Sequence, residues 1–189
     1  MVLAERLLAI ARLAYGRMPK AANLTRTQWV ALHYFARANR RSRTATAFSL
    51  YHGTSLASVS ESISALVRRG LLSRYRCRRD RRNFCLDLTD DARRLLSDDP
   101  AANLEKAIES LSNDQLDVLE QSAYALMRSM SVRQKTPIFG LCRFCKFCKV
   151  PATRKTDGAA AECERFTEAV PEDELDSLCI EFELGWVPD

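Results

Sequence analysis

No run of about 18 apolar residues occurs in this chain, so no membrane-spanning helix is expected. The opening stretch MVLAERLLAIARLAYGRMPK lacks a small-residue cleavage site and carries charges inside its apolar part. It is expected to be an amphipathic helix rather than a secretion signal, and the protein is expected in the cytoplasm. Histidine is nearly missing, with only His33 and His52 present. Catalytic zinc wants an open position and His or carboxylate support, so an enzyme is not expected. His33 lies off the apolar stripe of its own helix and is taken as a surface or helix-packing residue. Structural zinc sites usually recruit two Cys-x2-Cys pairs, and the later cysteines here, Cys163 and Cys179, are single.

Charge and cysteine are both present, and both are unevenly placed. The chain of 189 residues has a net charge of +5. Residues 136–189 hold six Lys/Arg against eleven Asp/Glu, a net of −5, which leaves +10 on residues 1–135. The two parts are therefore expected to face different partners. Between Arg74 and Arg82 stand six Arg and one Asp. A surface hairpin concentrates that much like charge where an anion neutralises it, and nucleic acid is the most available polyanion.

The pattern along the chain is helical before this hairpin. Leu3, Leu7, Leu8, Ile10, Ala11 and Ala14 share one face of a first helix. Thr25 with Gln28 forms a capping box, and Trp29, Leu32 and Phe35/Ala36 mark the buried face of the helix that follows. Arg40–Arg43 is a short basic linker, either touching phosphate or simply solvated. Thr44 or Thr46 caps a short helix that ends at Gly53, and Thr54 or Ser55 caps the next. In that next helix Val59, Ile63, Leu66 and Val67 face inward, while Ser55, Ser58, Ser60, Glu61 and Ser64 take the other positions. Short helix, turn and second helix is the plan in which the second helix enters the major groove.

Two alternating strands follow, residues 71–75 and 84–88, with the Arg-rich loop between them. At the tip, Asp80 can hold Arg82 by charge-assisted hydrogen bonds and aim its guanidinium into a narrow minor groove. Arg78, Arg79 and Arg81 share that tip. Thr89 caps a further helix, Pro100 interrupts it, and Ser112 with Gln115 forms a second capping box. Leu116, Leu119, Ala123, Leu126 and Met130 then repeat at three and four. This seam suits either an intrachain core or, with the first helix, a dimerisation bundle matched to a palindromic site.

In this order the elements resemble the MarR family of transcription regulators. The matching stretches are LTRTQWVALHYF, TSLASVSESISALVRRGLL and DRRNFCLDLT. The resemblance covers about residues 3–132 of 1–135, where it departs in having Ala92 in place of a frequent glycine. It implies a mainly α fold with a winged helix-turn-helix, an obligate homodimer built from both ends of the chain, and a palindromic double-stranded DNA operator. It implies Asp80 and Arg82 as the wing pair, and Ser55, Ser58, Ser60 and Ser64 as the groove-facing residues. A small aromatic effector between dimer and winged lobes is the family's common mode of control.

Residues 136–189 stand outside that resemblance. Cys142-x2-Cys145-x2-Cys148 is followed by Cys163 and Cys179. A Cys-x2-Cys turn points two thiolates at one ion, and Arg143 and Lys146 beside it favour the thiolate. The expected ligands are Cys142, Cys145, Cys163 and Cys179, with Cys148 as an alternative. Three cysteines at this spacing fit iron–sulfur ligation, so an iron–sulfur cluster is expected, with zinc or metal-free redox thiols as alternatives. Phe139, Phe144, Phe147, Phe182 and Trp186 are candidates to shield it, or simply core. Cys77 and Cys85 lie on the wing strands, Cys85 as a small apolar residue and Cys77 exposed, with no assigned role.

Overall fold

A computed structural model describes residues 2–14, 23–77, 81–97, 102–151 and 159–185. Seven helices come first: α1 Val2–Ala14, α2 Arg26–Arg37, α3 Ala45–His52, α4 Leu56–Arg68, α5 Asp90–Leu96, α6 Ala102–Glu109 and α7 Asn113–Gln134. Between α4 and α5 lies an antiparallel hairpin of β1 Leu72–Arg76 and β2 Phe84–Leu88. The fold is thus mainly α with a β wing, as the sequence indicates. Asp80, Arg78 and Arg79 at the wing tip, Pro100, and Trp186 lie outside the described residues.

The helix starts are set by local chemistry. Thr25 and Gln28 close a reciprocal capping box on α2, and Ser112 and Gln115 do the same on α7. Thr44 caps α3, Ser55 caps α4, and Thr89 caps α5. Gly53 ends α3 in the left-handed region at φ 69°, which a side chain rarely adopts.

One core holds the winged unit together. Trp29, Leu32, Tyr34 and Phe35 of α2 are buried, with Phe48 of α3, Val59 and Leu66 of α4, and Leu72, Leu86 and Leu88 of the wing. Tyr34 replaces Ala36 on the buried face, because Ala36 is exposed. The Tyr34 hydroxyl donates to the Ser42 carbonyl at 2.7 Å, and burial pushes its phenol well above the usual range. His33 packs edge-on against Trp29, ring centroids 4.7 Å apart, as a helix-packing residue.

The outer helices contrast with this core. Neither α1 nor α7 contains a buried residue. Leu3, Leu8 and Leu13 on α1 stand in solvent, as do Leu119, Leu126 and Met130 on α7. The α7 seam is therefore not an intrachain core stripe.

The tail folds as a small separate β layer. Strand β3 Gly140–Leu141 pairs with β7 Leu178–Cys179, and β4 Cys148–Lys149, β5 Ala159–Cys163 and β6 Glu168–Pro171 form a three-stranded antiparallel sheet. It is not independent of the winged core, since Phe139 is buried among those residues and Leu178 and Ile180 pack against them.

Candidate nucleic-acid interface and cysteine cluster

Helix α4 is two-sided. Val59, Ile63 and Leu66 are buried, and Val67 is half-buried against the same core. Ser55, Ser58, Ser60, Glu61 and Ser64 are exposed on the remaining surface. Ser55 has a structural duty as well: its Oγ accepts from the Ser58 amide at 3.3 Å and contacts Ser58 Oγ at 3.0 Å. Ser60 and Ser64 are a helical turn apart on the open face, with short polar side chains that let a backbone approach closely.

The wing presents its arginines on a stiffened hairpin. The guanidiniums of Arg74 and Arg76 lie over the Phe84 ring, 3.8 and 4.0 Å from its centroid. Arg76 Nη1 also donates to the Arg81 carbonyl at 3.1 Å and reaches the Arg82 carbonyl at 3.4 Å. Arg81 and Arg82 are exposed. A short helix, a glycine turn, a second helix with an open polar face and a basic hairpin thus follow one another in space as in sequence.

Residues 22–83 match the MarR family. Over that stretch, about a third of its 189 residues, the chain is similar to that family. Among solved structures, the chain resembles transcriptional regulator PA3341, at 23% identity and a TM-score of 0.56 over 71% of this chain and 96% of that one. It also resembles a MarR transcriptional regulator from Methanosarcina mazei Go1, at 18% identity and a TM-score of 0.51, covering 68% and 95%. A third is a MepR–DNA complex from S. aureus, at 17% identity and a TM-score of 0.51, again covering 68% and 95%. At these identities the likeness is one of fold. No curated protein matches the chain.

The MarR unit carries the tail on the loop between α2 and α3, which reads in the sequence as a linker. Arg40 pairs with Glu174 at 2.9 Å and donates to the Ala169 carbonyl at 3.3 Å. Arg41 pairs with Glu168 at 2.6 Å, and its guanidinium lies 3.3 Å from the Phe166 ring centroid. Arg43 turns the other way, to the Ala38 carbonyl at 2.9 Å and to Asp87 of β2 at 3.0 Å. The basic linker is therefore neither solvated nor free for phosphate at Arg41 and Arg43. Part of the charge split between chain halves is satisfied inside the molecule.

Asn39 and Ser42 are the buried polar members of this joint. The Asn39 amide donates to the Leu178 carbonyl at 2.9 Å, and its side-chain Nδ2 donates to Cys142 Sγ at 3.5 Å. Its Oδ1 accepts from the Ser42 amide at 3.0 Å, and Ser42 Oγ accepts from the Ile180 amide at 2.9 Å.

All five tail cysteines meet in one cluster. Cys142 and Cys179 are buried with Ala161, Val170 and Phe182, and Cys145, Cys148 and Cys163 pack against them. Cys148 lies opposite Cys163 in the β4–β5 pairing. The Cys142 thiol hydrogen-bonds Cys179, which favours the Cys179 thiolate and pushes the Cys142 thiol above its usual range. Cys163 is raised by burial, against backbone amides of Phe166 and Arg165 that favour its thiolate. Among the described residues, no three His, Cys, Asp or Glu side chains are gathered closely enough to hold a metal ion. Phe182 is buried in the core that the cysteine cluster shares with Ala161 and Val170, Phe139 belongs to the winged core, and Phe144 is exposed.

Two cysteines behave otherwise. Cys77 and Cys85 are both buried and joined in a disulfide. This corrects the expectation that Cys77 is exposed and Cys85 a plain apolar filler. The register explains it: Tyr75 faces Cys85 across the ladder, so Cys77 is the next residue on the same side, diagonal to Cys85.

Proposed function

We propose that the protein is a DNA-binding transcription regulator that acts as a homodimer. The observation that carries the reading is the pairing of a MarR-family helix-turn-helix with an exposed serine face on α4 and a wing whose exposed arginines are braced against Phe84. Ser58, Ser60 and Ser64 would meet base edges in the major groove, with Ser55 at the helix start, and Arg78, Arg79, Arg81 and Arg82 would meet phosphate or the minor groove with Asp80 positioning Arg82. The bare apolar faces of α1 and α7 support a second copy as their cover. MarR-family regulators bind DNA and are not enzymes. Among the described residues no helix is long and apolar enough to cross a membrane.

The tail is, in this reading, a thiolate-ligated metal centre. Cys142, Cys145, Cys163 and Cys179 are its ligands, with Cys148 as the substitute, and an iron–sulfur cluster is favoured over zinc. Support comes from the packing of five soft donors in one cluster, though not within the reach of a single ion, and from backbone amides aimed at Cys163 and Cys179. A metal held by those sulfurs would supply a site responsive to redox state, oxygen or iron, and Asn39, which donates to Cys142, sits on the same loop 38–43 as Arg43, which holds Asp87 of β2 at 3.0 Å.

A fluorescent DNA duplex titrated with full-length protein across a salt series tests the first part. Arg82→Ala should bind more weakly and lower the salt slope by about one. An unchanged affinity at matched salt would remove the wing from this reading.

A further inference from the structure

We propose that the Cys77–Cys85 bond is a reversible redox switch on the wing, opened by a dithiol reductant of the thioredoxin class, and that its closed form is the one that grips DNA. The proposal rests on the DNA-reading function above.

The bond stands where the hairpin ladder ends. Arg76 and Phe84 are the last paired residues, and beyond them the Cys77 amide donates to the Asn83 carbonyl at 3.1 Å. The loop it closes contains Arg78, Arg79, Arg81 and Arg82 with a single acid, Asp80. Four like charges in so short a stretch of sequence repel one another, and without the crosslink the chain between positions 77 and 85 has more conformations to lose. The crosslink removes much of that freedom before any phosphate arrives, so less ordering is left for binding to oppose.

A purely structural staple is the competing explanation, and the core argues against it. Leu66, Leu72, Leu86 and Leu88 already hold the hairpin to α2–α4, and Cys77 and Cys85, though buried, lie outside that cluster. A chain of 189 residues has no need of the staples that small secreted domains require. The five tail thiols are free and form their own cluster, so the wing pair is a closed two-sulfur unit. Its Cα–Cα distance of 5.1 Å lies within the ordinary range for a disulfide, so opening and closing require little backbone movement.

The chemistry balances as a two-electron exchange. A reductant thiolate attacks one sulfur of the Cys77–Cys85 bond, and the other cysteine leaves as a thiolate and takes a proton. The reductant's second thiol then attacks the mixed disulfide, freeing the remaining cysteine, which is protonated in turn. The reductant ends as a disulfide. Closure uses a peroxide: one wing thiolate becomes a sulfenic acid as the peroxide oxygen–oxygen bond breaks, and the other thiol displaces water to form the bond.

The test uses full-length protein and a fluorescent duplex of random sequence at fixed salt. Affinity is measured after peroxide and after thioredoxin, with alkylation and mass spectrometry reporting the state of Cys77 and Cys85. Reduction should weaken wild-type binding on the order of tenfold beyond any shift that the Cys77→Ser/Cys85→Ser variant, which keeps the tail thiols, shows under the same two treatments. Equal affinity in wild type with the bond demonstrably open overturns the switch. A shift as large in the double variant as in wild type also overturns it and assigns the whole effect to the tail thiols. If the serine pair misfolds, Cys77→Ala/Cys85→Ala and the reduced, alkylated wild type make the same comparison. Binding in neither state overturns the DNA-reading function, and the switch falls with it.

Discussion

Asn39 and Cys142 are 103 residues apart in sequence, and the Asn39 side chain donates to the Cys142 sulfur at 3.5 Å. One buried amide thus joins the end of α2 in the MarR unit to the cysteine cluster of the tail. Its carbonyl oxygen meanwhile fixes the Ser42 amide at 3.0 Å. Replacing it by alanine removes both contacts inside a packed joint. Asn39→Ala should lower stability by about 1–3 kcal/mol, a fall in melting temperature of roughly 2–12 °C for a chain of this size. Thermal denaturation checks this, and an unchanged midpoint would show that the joint is not structural.

Arg43 and Arg82 should fail differently. Arg43 holds the Ala38 carbonyl and Asp87, and so positions β2 rather than touching DNA. Arg43→Ala should weaken DNA binding while leaving the salt slope as it is in wild type. Arg82→Ala should lower the slope by about one, as one phosphate contact disappears. A salt titration of both variants separates positioning from contact.

Gly140 has no room for a side chain. A Cβ there would stand 2.6 Å from the Phe182 ring, which is buried with Cys142 and Cys179. Gly140→Ala should cost about 1–3 kcal/mol through overpacking and should disturb the cluster around the ring. Faster alkylation of Cys142 and Cys179 than in wild type, measured by mass spectrometry, is the expected sign.

The exposed stripe on α7 predicts assembly. Leu126 and Met130 stand one turn apart, with Met130 55% exposed. Leu126→Glu together with Met130→Glu should convert the dimer to monomer in sedimentation experiments, since charge is excluded from an apolar helix seam. A dimer that survives both changes would place the interface elsewhere.

Local chemistry was legible in the sequence, and long-range chemistry much less so. The capping pairs Thr25–Gln28 and Ser112–Gln115 were visible because both members lie within one helical turn. The two faces of α4 were visible because burial repeats with the helical period. Nothing local marks Asn39 as the partner of a cysteine, since that contact depends on where the tail returns. One signal did exist for the docking of the tail. An excess of acid on residues 136–189 stands beside an excess of base on residues 1–135, and Arg40–Glu174 and Arg41–Glu168 realise it. The wing disulfide also had a signal, because Cys77 and Cys85 fall on one side of the hairpin once Tyr75 is set opposite Cys85.

In the reading proposed above, the tail sulfurs and the wing form one linked device through loop 38–43. The most direct test takes anaerobically purified protein, records its metal content and absorption spectrum, and measures DNA affinity before and after chelation. Holding the wing disulfide closed, with its state confirmed by mass spectrometry, keeps the two sulfur sites apart. The expected result is stoichiometric metal on the cysteine cluster and a change in affinity of about 5- to 150-fold when it is removed. Metal-free protein as purified, or equal affinity with and without the metal, would contradict it.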